Sequence, residues 1–200
     1  FMFHRFGWAI LAVLATTLAP LFLLATVETA HAATFTVNDL NNSEDRFPGD
    51  GVAETFSGTV SLRSAIEEAN ALGGSHTIQL PANAVIAVTW QPVDFWYGPA
   101  AFPAIAADLT IEGNNTRIVL QSGTMRAFYV AGGTTPFGSD HLPPATVTMR
   151  DLNLEGFQTI GGSGGGGYGG GGGGAGMGGS IFNQGDLTLE RVALINNLAR

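Results

Sequence analysis

The 200-residue chain has no cysteine and little charge: charged residues make up 12% of it, with 8 basic against 16 acidic side chains. Without cysteine, neither a disulfide framework nor a thiolate metal site is possible. With a net charge of -8, a phosphate backbone is repelled rather than gathered, so nucleic acid is not an expected partner. What is present is a 45% hydrophobic composition, enough for one domain with a continuous apolar core and too apolar for a disordered chain.

His4 and Arg5 precede an almost wholly apolar run from Trp8 to Val27, and Ala30-His31-Ala32 then places small residues at the two positions a signal peptidase reads. Residues 1–32 therefore read as a secretory signal, with the mature protein starting at Ala33. The rival reading is an uncleaved anchor, which Pro20 and Thr16-Thr17 weaken. The expected localisation is secreted or at the cell surface or outer membrane, with membrane contact only through the signal during export. The chain opens on Phe1 rather than Met, and Arg200 falls inside a patterned segment; both ends read as those of a piece of a longer product.

After the signal, Thr34-Phe35-Thr36-Val37 reads as a short strand, and Pro48-Gly49-Asp50-Gly51 as a turn in a polar stretch. In VSLRSAIEEANAL, Leu62, Ala65, Ile66 and Ala69 recur every three or four residues, and Arg63 stands one turn before Glu67. This predicts a short amphipathic helix over 61–71, ended by Gly73-Gly74. From His76 onward only short strand-type runs follow: TIQL, AVIAVTW, DLTIEG, TRIVLQ, AFYVAG, ATVTMRDLNLEGF, SIFN and DLTLERVALINN. Val147 to Leu154 and Leu187 to Leu194 superpose at an offset of forty, apolar on apolar. Within each, the inward parity breaks once, between 149 and 152 in the first, which marks a corner in the strand. Short cornered strands with matching apolar positions predict an all-β right-handed parallel β-helix, a solenoid, over 76–200, with residues 33–75 as an N-terminal cap.

Fifteen of the nineteen residues from 161 to 179 are glycine. Lying between two strands expected to stack, this run reads as a loop leaving the solenoid, with few side chains to hold it and hence mobile. Gly174 to Gly179 matches G-x-G-x-x-G, yet SIFNQGDLTLE after it cannot be a phosphate-facing helix. The run holds no lysine for a P-loop and no aspartate for a calcium-binding nonapeptide repeat.

Two resemblances follow. FTVNDLNNSEDRFPGDGVAETFSGTVSLRSAIEEANAL resembles the CSLREA domain of exported bacterial proteins, with Ala53 and Val60 where that family has cysteines. GMGGSIFNQGDLTLERVALINN is similar to the repeats of polymorphic outer-membrane proteins, whose marks read here as Gly178-Gly179-Ser180-Ile181 and Leu194-Ile195-Asn196-Asn197, each differing at one residue. The resemblances imply a right-handed β-helix, exported, often adhesive or on the cell surface, with no family-wide catalytic residue to carry over.

For function, the helix reads as a cap over the first coil rather than a binding element. Asp39, Asn41, Ser43 and Asp45 place oxygen ligands at alternate positions, with Asp50 further on, as a calcium loop would, but Glu44 and Asp50 stand where an EF-hand needs glycine and glutamate, so an acidic solvated loop is the default. Arg126, Arg150, Asp151, Glu155, Glu190 and Arg191 are the densest candidates for catalysis. The forty-residue offset, however, sets Arg150 beside Glu190 and Asp151 beside Arg191, which reads as neutral pairing. His76 and His141 lack triad partners. Asn196 and Asn197 read as corner residues, left-handed and stacked in amide ladders. In WQPVDFWYGPAAFPAI, residues 90 to 105, the prolines exclude a central strand. Its aromatics are expected to plug the solenoid side; if exposed instead, Trp96 and Tyr97 are the expected glycan contacts. The expected function is binding, adhesive or structural, with a glycan or another surface protein as partner, no catalytic residue in this stretch, no cofactor and no metal. The alternative is an extracellular polysaccharide lyase or hydrolase of the same fold with its active-site coils downstream.

Overall fold

A computed structural model describes residues 32–93, 97–133, 142–162 and 175–200. Residues 1–31 of the expected signal segment and most of the glycine run lie outside them. Ten strands and one helix follow one another: β1 (Thr34–Thr36), α1 (Leu62–Leu72), β2 (Ser75–Gln79), β3 (Val85–Val88), β4 (Asp108–Leu120), β5 (Phe128–Val130), β6 (Thr146–Glu155), β7 (Gln158–Thr159), β8 (Ile181–Asn183), β9 (Asp186–Ile195) and β10 (Leu198–Ala199). The chain is thus strand-rich, and every pairing between these strands is parallel.

The main sheet runs β1-β2-β4-β6-β9, with β3 also on β4; β5 pairs with β8 and β7 with β10 in two small sheets. From β6 the chain passes through β7 and β8 before returning to the main sheet as β9, so each sheet is met once along this path. Register between β6 and β9 is constant at forty residues, as expected: Met149 lies beside Leu189 and Leu154 beside Leu194. The same rows continue into β4, where Leu109 meets Val147, Ile111 meets Met149 and Ile118 meets Leu154. In β6 the buried positions are 147, 149, 152 and 154, which reproduces the parity break. The corner residues Asp151 and Arg191 have φ of 50° and 54°, the left-handed conformation that reverses the side-chain alternation. β4 turns the same corner through Asn114 and Asn115, φ 49° and 62°, using two more residues between Glu112 and Thr116 than β6 uses between Arg150 and Leu152.

The helix occupies Leu62–Leu72, one residue later than expected at each end. Ser61 caps it, its hydroxyl accepting from Ser64 N–H, while Ser64 reciprocates on the Ser61 N–H; Gly73 closes it with φ 63°. Leu62, Ala65, Ile66 and Ala69 enter one apolar cluster with Phe35, Ile78, Ile111, Met149 and Phe157, which Ala53 joins and Val60 packs against. His76 ties this end together: its Nδ1 accepts from Ala33 N–H at 3.2 Å and its Nε2 donates to the Gly73 carbonyl at 2.7 Å.

Candidate functional site

Three groups of residues carry chemistry: a ladder of charges along the main sheet, the aromatic segment after β3, and the acidic stretch before α1. In the first, register alone decides the neighbours. Arg150 on β6 lies between Glu112 on β4 and Glu190 on β9, with N–O distances of 2.9 Å to each. One residue further, at the corner, Arg191 grips Asp151 with two bonds of 2.6 and 2.9 Å. Arg117 holds Glu155 in the same two-pronged way at 2.7 and 2.6 Å. The hydrogen bonds from Arg191 and Arg117 pull the carboxyls of Asp151 and Glu155 below the ordinary carboxylate range. Bonds to Glu112 and Glu190 likewise raise Arg150. The expected pairings of Arg150 with Glu190 and of Asp151 with Arg191 are both present; those to Glu112 and Arg117 were not legible. A carboxylate clamped this way is a poor general base, because its proton affinity has fallen.

Arg126 stands apart from this ladder. It is 5% exposed, its Nη1 donates to the Tyr97 carbonyl at 2.5 Å, and its guanidinium lies 5.0 Å from the Phe182 ring centroid. Burial lowers its pKa. Tyr97 stacks on Tyr129 at 4.2 Å with rings 13° apart, and Tyr129 donates to Gln184 Oε1 at 2.6 Å. Phe102, fully buried, stacks on Phe128. Residues 97–105 therefore pack back against β5, with Tyr97 and Phe102 buried. Tyr97 is 8% exposed and offers no open ring to a sugar, a correction to its place in a glycan platform; Trp96 lies outside the described residues, as does His141. The aromatic that stays open is Trp90, 48% exposed and laid against Gly123, where an added β-carbon would meet its ring at 2.7 Å. Sequence offered one signal for it, a tryptophan shortly after a strand-type run and two residues before Pro92.

The acidic stretch does not gather into a cation site. Asp39 collects donors from the protein: Asn41 N–H and amide on Oδ1 at 2.9 and 2.7 Å, Thr59 hydroxyl on Oδ2 at 3.0 Å and Ser43 hydroxyl at 3.4 Å. Burial works against its ionisation, but these bonds outweigh burial and hold the carboxyl below its usual range. Among the described residues no three His, Asp or Glu converge on a common point. Asp45 instead faces α1. Its Oδ1 accepts from Phe47 N–H at 3.0 Å, its N–H donates to Glu67 Oε2 at 2.7 Å, and its Oδ2 is buried on the side of Glu68. The adjacent Glu68 is fully buried and accepts from Gly49 and Gly51 N–H groups. Burial first, and then the charges of Glu68 and Asp50, push Asp45 up to about 6. On the outer side, Arg63 bonds Glu67 at 2.7 Å, as expected, and Glu44 at 3.1 Å.

At the second corner Asn196 has φ 53°, the left-handed conformation expected of it. Asn197 differs from expectation. Its amide donates to the Leu154 carbonyl at 2.9 Å and its Oδ1 accepts from Phe157 N–H at 2.9 Å, so it pins backbone instead of stacking in an amide ladder. The residue forty positions earlier is Phe157, which has no amide to stack.

Comparison with known protein families, curated proteins and solved structures finds no match for this chain.

Proposed function

We propose that the protein is an exported right-handed parallel β-helix, capped by α1, that acts outside the cell or at its surface as a binding or structural scaffold. The observation that carries this reading is the parallel pairing of β4, β6 and β9, in which apolar residues lie beside apolar ones and Arg150 beside Glu112 and Glu190, with one shift of two residues at the β4 corner. Solenoids use such repetition to hold an extended face in shape, and a parallel connection returning to the same sheet is right-handed in nearly all proteins. The CSLREA-like cap and the outer-membrane-protein-like repeat point the same way. A catalytic role would need Arg150, Asp151, Glu155, Glu190 or Arg191 available to a substrate, whereas each is engaged in an ion pair.

The sugar-stacking role expected of Trp96 and Tyr97 passes to Trp90, whose half-open indole rests on Gly123. A flat ring held from behind loses little entropy on stacking against a pyranose face, and needs no charge to do so. The test is binding to a panel of neutral polysaccharides. Trp90→Ala should weaken binding at least about tenfold, the scale of one good aromatic contact. Equal binding by both proteins removes the glycan reading from this residue.

A further inference from the structure

The outward side of the main sheet carries one row built from a single residue type. Thr34 pairs with Thr77, Thr77 with Thr110, Thr110 with Thr148 and Thr148 with Thr188, while the residues that follow the first four of them, Phe35, Ile78, Ile111 and Met149, are buried. Strand propensity favours threonine at any outer position, but it does not choose one row over its neighbours. The row before holds Ser75, Asp108, Thr146 and Asp186, and the row after holds Gln79, Glu112, Arg150 and Glu190. The hydroxyls of the row are also unspent. Thr59, Thr116 and Thr159 donate theirs to the Asp39 carboxylate and to the Pro81 and Met177 carbonyls, whereas among the described residues Thr77, Thr110 and Thr148, all half-buried, form no such bond.

Two hollows lie along this row and share Asp108 and Thr146, so they make one groove. The first, of about 220 Å³, is lined by Ser75, Thr110 and Thr148; the second, of about 400 Å³, continues past Ala145 and Gln184 to Asp186. The groove thus crosses β2, β4, β6 and β9, three strand spacings of about 4.8 Å each, or roughly 14 Å. Its charge is of one sign. Among the described residues no arginine lines it, the sequence has no lysine, and His76, which touches the first hollow, keeps both ring nitrogens on backbone groups. Asp108 Oδ1 accepts from Thr146 N–H at 2.7 Å, which holds this carboxyl where the hollows join. Carboxylates repel an anionic polymer and accept from neutral hydroxyls. A chain of neutral sugars offers hydroxyls and apolar ring faces at a repeat close to the spacing of the strands, and the hydroxyl and methyl of each threonine answer both.

We propose that this groove binds a neutral polysaccharide chain laid across the strands, with the threonine row beneath successive sugars. The inference rests on the reading of the protein as a binding scaffold and adds a site separate from Trp90. Its test is a titration of the isotope-labelled protein with β-linked oligosaccharides of glucose, xylose and mannose, read by nuclear magnetic resonance at the amides of Thr77, Thr110 and Thr148 and at the Trp90 indole. At least one of these sugars should move the three threonine amides together. Thr110→Val with Thr148→Val keeps the branching of both side chains and removes both hydroxyls, so it should weaken binding about tenfold, the scale of two modest hydrogen bonds. Thr148→Ser, which keeps the hydroxyl, should stay within about threefold of the parent protein, and Trp90→Ala should leave the threonine shifts in place. Threonine amides that stay still with every neutral sugar overturn the inference, as does undiminished binding by the double valine variant. Movement of the Trp90 indole alone also overturns it and leaves the Trp90 reading standing; movement of the threonines alone supports it and removes the Trp90 reading. A larger response to an oligogalacturonate than to any neutral sugar overturns the assignment to a neutral chain.

Discussion

Asp45 is the residue on which the folded state most clearly depends on pH. In the unfolded chain an aspartate titrates near 3.8, but here, buried beside Glu68, it is pushed up to about 6. The folded protein therefore holds this proton more tightly than the unfolded one. The resulting stability is complete below about pH 4 and is lost as pH rises through 6, by on the order of 3 kcal/mol. Asp45→Asn should keep the bond from Phe47 N–H and give Glu68 a donor. Urea unfolding from pH 4 to 8 should then show a gain over the parent protein that grows with pH. Parallel curves for the two proteins would mean the proton is not held at Asp45. The same pattern of alternate acidic residues was readable in the sequence, but not its use: whether a carboxyl meets donors, as Asp39 does, or another carboxyl, as Asp45 does, is decided by which loop folds against α1.

At the scale of the elements, the capped start of α1 is the most concentrated local device. Ser61 is fully buried, accepts from Ser64 N–H at 2.9 Å and donates to the Ser43 carbonyl at 2.5 Å. Ser61→Ala removes both bonds, and thermal or urea unfolding should report a loss of about 1–2 kcal/mol, the range for N-cap removal. An unchanged midpoint would place the helix start elsewhere. The helix itself was legible because its 3.6-residue period is undisturbed from Leu62 to Ala69. The forty-residue repeat was legible only between β6 and β9, since β4 reaches β6 with offsets of 38 before the corner and 36 after it. For the same reason the runs DLTIEG and TRIVLQ read as two strands, whereas they are the two arms of β4. β7 and β10, two residues each, are too short to carry any period. The expected loop at 161–179 lies mostly outside the described residues, but its end is not loose: a β-carbon on Gly176 would strike the Arg200 and Thr159 carbonyls, so glycine there permits close backbone approach.

At the scale of the whole molecule, the apolar rows of the described residues run from enclosed positions on β6 to more exposed ones on β9, and within this 200-residue chain the cost of truncation should follow that gradient. Met149→Ala, in a fully buried position, should cost about 2–5 kcal/mol. Leu189→Ala, in the same row but 40% exposed, should cost under about 1 kcal/mol in this chain. Equal losses would show that the row is not buried in the order described. The buried aromatics, the ion-pair ladder and the packing of α1 all depend on one arrangement: successive strands lying parallel along the main sheet. The most direct test is a set of methyl–methyl nuclear Overhauser contacts in the methyl-labelled protein. Neighbouring parallel strands stand about 4.8 Å apart, so Met149 should show strong contacts to both Ile111 and Leu189, and Leu154 to both Ile118 and Leu194. Absence of these contacts, with Met149 instead meeting residues of another register, would contradict the account.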